Sequence, residues 1–198
     1  IVAIQSHFCY QNSNGSVHCI ALKCAGKGRG GIGKISSPLT PMKYRKFGTT
    51  SLNVSEIGFG AWAIGGAAVV GNMPIGWGPS DDTVSRQAIM AALDAGINFF
   101  DTADFYGLGH SEALLGQVFG KRDDVIIATK VGQKIGGDGK IAIDYSYEYI
   151  IEACEKSLKR LGRDCIDYYQ LHVARVHHLQ EGHCIRAMEA LQAQGKIR

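Results

Sequence analysis

The stretch Ile97-Asn98-Phe99-Phe100-Asp101-Thr102-Ala103-Asp104-Phe105-Tyr106-Gly107 decides the fold. Ile97 to Phe100 reads as an apolar strand that ends at Asp101, and its lack of alternation marks a strand covered on both faces. Gly96, just upstream, stops a helix over Val84–Asp94 in the position that glycine favours past a helix end. Asp81 and Asp82 offer that helix an N-cap and a partner for its dipole. Downstream, Ser111 is expected to cap a second helix with Ala113, Leu114, Leu115 and Val118 on its inner face.

The helix–strand rhythm continues in both directions. Ser55–Gly60 reads as an earlier buried strand, preceded by a short hairpin of Met42–Phe47 and Leu52–Val54 around Gly48-Thr49-Thr50. Val125–Ala128 is a third strand ending at Lys130. Ser146 caps a third helix, in which Ile150, Ile151, Cys154, Leu158 and Leu161 recur at helical spacing, and Gly162 ends it. Ile166–Leu171 is a fourth strand ending at His172, and Glu181–Gln194 a fourth helix closed by Gly195. Alternating units of this kind imply a parallel sheet with right-handed crossovers.

Two arrangements of such a sheet compete. An open doubly wound sheet places a glycine-rich turn at a helix N-terminus to hold phosphate. Gly58-Phe59-Gly60-Ala61-Trp62 has glycines, but the next helix starts about twenty residues later, out of reach of that role. An eight-fold barrel instead places polar residues at the C-terminal ends of several strands, converging on one site. Asp101, Lys130 and His172 stand at such ends, and Tyr106 lies on the loop just beyond Asp101.

Those four residue types carry a chemistry together. A tyrosine with a free-solution pKa of about 10 is a poor proton donor at neutral pH. An adjacent ammonium favours its phenolate, and a carboxylate keeps that ammonium charged and placed. An imidazole can hydrogen-bond a carbonyl oxygen and orient it. The set suits protonation of an oxygen that is gaining negative charge, as in carbonyl reduction by hydride. No side chain supplies hydride, so a nicotinamide cofactor is required. Singly, each residue has a structural alternative: a buried cap, an ordinary tyrosine, a solvated strand end, a satisfied core histidine.

From Met42 to Arg198 the chain resembles the aldo-keto reductases, with some features of a bacterial stress-protein branch. The resemblance rests on Gly58-Phe59-Gly60, Asp101-Thr102-Ala103-x-x-Tyr106-Gly107, Gly109-His110-Ser111-Glu112-x-x-Leu115-Gly116, Ala128-Thr129-Lys130 and Tyr169-Gln170-Leu171-His172, in family order, with Gly76-Trp77-Gly78-x-x-Asp81-Asp82 marking the branch. It implies a (β/α)8 TIM barrel, here truncated to about its first four β/α units after an N-terminal hairpin. It implies NADPH-dependent reduction of an aldehyde or ketone. Tyr106 would be the proton donor, Lys130 and Asp101 its tuning pair, and His172 the carbonyl orienter. Gly60, Ala61, Trp62 and Asp101 would meet the cofactor. Selectivity would come from Trp62, the Ala67–Trp77 loop and the loop after His172. A non-catalytic, cofactor-sensing barrel subunit and an inactive truncated fragment are the alternative readings.

Two stretches depart from the family. Residues 1–41 hold Lys23, Lys27, Arg29 and Lys34 and no acid, so of the chain's +3 net charge they carry +4 and the remainder −1. They lack hydrophobic periodicity and read as a non-homologous, disordered leader, with Met42 the expected true start. Gly28-x4-Gly33-Lys34 imitates a phosphate loop, but Ile35 stands where Ser or Thr must hold magnesium, and Pro38 and Pro41 forbid the following helix. The second departure is Val173 to Cys184, where family members continue Trp-Pro-Asp or similar. Codons for Val173-Ala174-Arg175 read one base later can spell Trp-Pro-Glu, so a shifted reading frame is expected there.

Composition bounds the rest. In 198 residues, 45% are apolar and 20% charged, which excludes a wholly disordered or fibrous chain. The modest charge gives no footprint for nucleic acid, and the longest apolar run, residues 61–71, is too short to span a bilayer. Six cysteines without regular spacing read as reduced thiols in a cytoplasmic protein, not as a disulfide framework or a metal site. The expected partner is a small carbonyl compound, and the sequence leaves the oligomeric state open.

Overall fold

The computed structural model describes residues 5–11 and 17–23, for their backbone, and residues 41–198. Two strands, β1 (Gln5–Gln11) and β2 (Val17–Lys23), form an antiparallel pair. This corrects the reading of the leader as wholly unstructured. Ile20-Ala21-Leu22 and Phe8-Cys9-Tyr10 suit a pleated ladder, which a search for helical period overlooks. The glycine-rich stretch 26–34 and the side chains of Cys9, Cys19 and Cys24 lie outside the described residues.

Strands β3 (Tyr44–Lys46) and β4 (Asn53–Ser55) make the hairpin expected after Met42. Next come β5 (Ile57–Gly60), a short ribbon of β6 (Val69–Val70) and β7 (Met73–Pro74), and helix α1 (Asp82–Asp94). The Asp81 carboxylate accepts from the N–H groups of Thr83 and Val84, so it is the N-cap the sequence promises. The remaining units are β8 (Phe99–Asp101), α2 (His110–Phe119), β9 (Ile126–Val131), the hairpin of β10 (Gln133–Ile135) and β11 (Ile141–Ile143), α3 (Tyr147–Leu161), β12 (Tyr168–Leu171), α4 (Val176–Glu181) and α5 (His183–Ala193).

The main sheet runs β12-β9-β8-β5-β1-β2. Strands β12, β9, β8 and β5 are parallel, as the alternating units require, with Gly60 opposite Asp101, Asp101 opposite Ala128 and Gln170 opposite Lys130. The antiparallel β1 covers the outer edge of β5. At the far edge, Ile197, just past α5, bridges Ile166 in parallel. The core lies between sheet and helices: Phe59, Phe100 and Ile127 from the strands meet Ile89, Leu114, Leu115, Ile150, Leu161 and Leu191 from α1, α2, α3 and α5. Helices α2 and α3 pack closely at Gly116, where a Cβ would fall 2.2 Å from the Arg160 carbonyl oxygen.

Two local expectations are corrected. Ser111 does not cap α2; Gly109 occupies that position, and the buried Ser111 hydroxyl donates to the Ala61 carbonyl at 2.7 Å instead. Its one proton being used there, the 2.8 Å contact with Thr102 Oγ1 has Thr102 as donor. Ser146 stands at the start of α3, but its hydroxyl turns to Asp144 at 2.7 Å. The helix expected over 181–194 is α5, His183–Ala193, and a short helix that was not expected, α4, precedes it. Gly182, at φ 74°, closes α4 and opens α5. Helix α4 lies in the stretch that departs from the family; it buries none of its residues, and Val173 just before it holds φ 58°.

Candidate functional site

Parallel strands in register put their C-terminal ends in one row, and that row is where the candidate residues meet. Asp101 closes β8, Lys130 lies near the end of β9, and His172 follows β12. The His172 N–H is tied to the Val131 carbonyl at 2.7 Å, which fixes where the strand ends. The Tyr145 hydroxyl holds the His172 carbonyl from the other side.

Tyr106 reaches the same point by a different route. It opens a tight turn, Tyr106–Gly109, in which Gly107, Leu108 and Gly109 all take the left-handed conformation. Leu108 pays about 1–2 kcal/mol for this conformation. Gly107 is required by space as well, since a Cβ there would lie 2.1 Å from the Gly65 carbonyl oxygen.

The Lys130 ammonium has three protons and uses all three. It donates to Asp101 Oδ1 at 2.5 Å, to the Thr102 carbonyl at 2.7 Å and to the Tyr106 phenolic oxygen at 3.2 Å. The second Asp101 oxygen accepts from the Gln170 side-chain amide at 3.0 Å, so the carboxylate is held at both ends. Because Lys130 donates to the phenolic oxygen, the Tyr106 O–H proton points elsewhere and is free for a third group. His172 stands edge-on to the Tyr106 ring with centroids 5.6 Å apart. Burial, reinforced by the Lys130 charge and opposed by Asp101, pulls the His172 imidazole down to about 4. It is therefore neutral near pH 7, with one nitrogen a donor and the other an acceptor. Its Nδ1 is buried with no hydrogen-bond partner among the described residues.

The depressed His172 has a measurable consequence. The folded chain binds this proton less tightly than the unfolded chain, whose histidine titrates near pH 6.5. The stability it contributes is fully present above about pH 6.5 and is lost as pH falls toward 4. Proton NMR of the ring should titrate with a midpoint near 4, and His172→Gln should flatten that part of the stability profile. A midpoint at the ordinary value would show that the ring is solvated.

A cavity of about 280 Å³ opens beside two of the four, Tyr106 and His172; Asp101 and Lys130 do not line it. Tyr106 and His172 form its floor; Trp62, Ile75, Phe105, Gln133 and Ile141 form its walls. Trp62 stacks on Tyr106 at 5.9 Å, meets Trp77 edge-on at 5.2 Å, and donates from Nε1 to the Ile75 carbonyl at 3.1 Å. Of Gly60, Ala61 and Trp62, expected to face a cofactor, only Trp62 lines this cavity. Ala61 is fully buried, with its N–H given to the Asp101 carbonyl at 2.8 Å and its carbonyl to Ser111. Gly60 pairs with Asp101 in the sheet.

Sequence reasoning missed the β10–β11 hairpin that supplies Gln133 and Ile141. Gly136-Gly137-Asp138-Gly139 between two apolar-containing triplets was the available turn signal. It also missed Gln170 as the second hold on Asp101. The residues present fit the reacting end of a nicotinamide and a carbonyl substrate, since an apolar, aromatic-walled space meets an uncommitted phenol proton and an orphaned imidazole nitrogen. Among the described residues, no group of three or more His, Cys, Asp or Glu side chains could hold a metal.

Residues 56–198 match the family model of the Aldo/keto reductase family. Aldo-keto reductase YhdN of Bacillus subtilis (strain 168) is 41% identical over 134 residues, 66% of this chain and 38% of that protein. The NADH-specific methylglyoxal reductase of Escherichia coli (strain K12) is 35% identical over 170 residues, 79% of this chain and 50% of its own length. The holo form of aldo-keto reductase AKR11C1 from Bacillus halodurans superimposes with a TM-score of 0.67 at 39% identity, covering 79% of this chain and 48% of that one. The chain thus spans about half the length of these relatives, or less.

Proposed function

This chain belongs to the aldo/keto reductase family, and from that premise we propose that it forms part of an eight-stranded (β/α) barrel that reduces a small aldehyde or ketone to the alcohol with NADPH. The observation that carries this reading is the direction of the Lys130 hydrogen bonds. All three ammonium protons are committed, one of them to the Tyr106 oxygen, which leaves the phenol proton available to a substrate oxygen.

The nicotinamide, when bound, supplies the hydride to the carbonyl carbon. The chain's own residues do the rest. Neutral His172 donates to the carbonyl oxygen and fixes its direction. Tyr106 gives its proton to that oxygen as negative charge develops there. The Lys130 ammonium stabilises the phenolate left behind, and Asp101 and Gln170 hold the ammonium in place. Trp62, with Trp77 edge-on beside it, gives the cavity wall an aromatic character and helps exclude water. The intact four-residue set argues against a purely cofactor-sensing subunit. The free cysteines Cys154, Cys165 and Cys184 are in keeping with a reducing, cytoplasmic setting.

The test is a spectrophotometric assay of the native protein containing this chain, with NADPH and NADH compared against a panel of small aldehydes and ketones. Carbonyl-dependent oxidation of NADPH is the expected result. Preference for NADH, the cofactor that the Escherichia coli relative's name specifies, would overturn the cofactor assignment alone. Tight cofactor binding without turnover of any carbonyl would favour the sensing role.

A further inference from the structure

Behind the Tyr106 turn, on the helix side of the sheet, lies a buried polar cluster that the reduction chemistry does not use. Glu112 of α2 is fully buried, and accepts from Thr129 Oγ1 at 2.5 Å and from Arg160 Nε at 2.6 Å. Arg160 also donates to Ser157 at 3.2 Å. Its aliphatic stem lies directly under the Tyr106 turn: a Cβ on Gly109 would come within 2.7 Å of Arg160 Cδ. The turn is thus clamped between Gly65 on one side and Arg160 on the other.

Asp104 sits at the entry to the same turn, two residues before Tyr106. Its N–H reaches the Lys130 carbonyl at 3.3 Å, and its side chain shares with Arg160 a cavity of about 180 Å³. Asp104 Oδ1 is buried and has no hydrogen-bond partner among the described residues. A buried carboxylate with one oxygen unpaired is costly, so the group favours its protonated form. Burial, and next the Glu112 carboxylate, push Asp104 up to about 7. Arg160, the Phe105 amide and Lys130 oppose that shift without cancelling it. The other charged or titratable groups at the cavity are Tyr149 and Lys156 of α3 and Lys134 of β10, with Tyr169 of β12 close behind. Lys134 is paired with Asp144, and Lys156 with Glu152, so neither is committed to Asp104.

We propose that Asp104 is a positioning residue for Tyr106: protonated, it leaves Arg160 seated on Glu112 and under Gly109, and ionised, it competes with Glu112 for Arg160 and loosens the turn that presents the phenol. Two carboxylates then face one guanidinium whose stem supports the turn. Because Gly107, Leu108 and Gly109 are already in strained or glycine-only conformations, a small shift of Arg160 is enough to release them. The inference rests on the reading of Tyr106 as proton donor, but its physical content, a turn tightened by one proton, does not.

The test is hydrogen exchange of the Phe105–Gly109 amides in the native protein at pH 6 and pH 8, corrected for the intrinsic pH dependence of exchange. The wild type should exchange roughly tenfold faster at the higher pH, a coupling of ordinary size. D104N should be insensitive to pH, and D104E should restore the dependence. In turnover, kcat of the wild type should fall above neutrality with KM unmoved, and D104N should remove that fall. A pH dependence shared by D104N, or none in the wild type, overturns the proposal. If D104N does not fold, Arg160→Lys serves instead: faster exchange of the turn at both pH values supports it, and unchanged exchange overturns it. Absence of any turnover would refute the reductase reading and leave the exchange result to decide this one.

Discussion

Replacing Tyr106 with Phe should lower turnover of a carbonyl substrate by about 10²–10⁴-fold, the usual contribution of a positioned general acid, while leaving cofactor binding intact. The ring remains, so its stacking on Trp62 and its edge contact with His172 survive. What disappears is the O–H whose proton is free to leave because Lys130 donates to the oxygen instead of accepting from it. Lys130 keeps its stronger partners, Asp101 and the Thr102 carbonyl, so the site should not collapse. Cofactor fluorescence quenching should therefore match the wild type while the assay of carbonyl-dependent NADPH oxidation fails. Turnover within a few-fold of the wild type would show that another group delivers the proton.

The second large effect should be on stability. Arg163 follows α3 and is almost fully buried, with Asp167 beside it. Its guanidinium donates to the carbonyls of Gly120 at 3.2 Å, Arg122 at 2.7 Å and Val125 at 3.1 Å, and to Asp167 Oδ2 at 2.9 Å. That same Asp167 oxygen accepts the Ile127 N–H at 2.9 Å, so one side chain ties the end of α2, the entry to β9 and the start of β12 together. Arg163→Ala would leave three carbonyls and a buried carboxylate short of partners, with the more exposed Arg198 at 3.2 Å as partial compensation. Breaking a buried pair in this way costs about 3–5 kcal/mol. Arg163→Lys keeps the charge but cannot reproduce the planar fork, and should fall between. Urea denaturation midpoints measure both; a loss under about 1 kcal/mol for Arg163→Ala would mean that water replaces the guanidinium.

The helix–strand alternation, the parallel sheet and the four candidate residues that the fold brings together were all legible in the sequence. Each depends on a local signal: Asp81 ahead of α1, Gly96 and Gly162 behind their helices, and an unbroken apolar strand running into Asp101. Signals that needed a distant partner failed. Ser111 looks like a cap because it precedes an apolar helix, yet its hydroxyl bonds Ala61, fifty positions away in the chain. Glu112 enters the sequence reading only as a motif residue, and the structure makes it the buried anchor of Arg160 and Thr129.

By itself, the sequence determined which candidate groups the chain carries and in what order: a carboxylate, an amine and an imidazole at successive strand ends, with a phenol on the turn after the first, converge because the strands are parallel and in register. Only the tertiary structure decided what those groups can do: that the Lys130 protons are all committed, that His172 is neutral, that Ala61 is sealed in the core, and that Asp104 Oδ1 is buried and unpaired among the described residues. Hydrogen-bond direction and protonation state depend on distance and burial, and these are set by packing between elements far apart in the chain, which periodicity along the sequence does not encode.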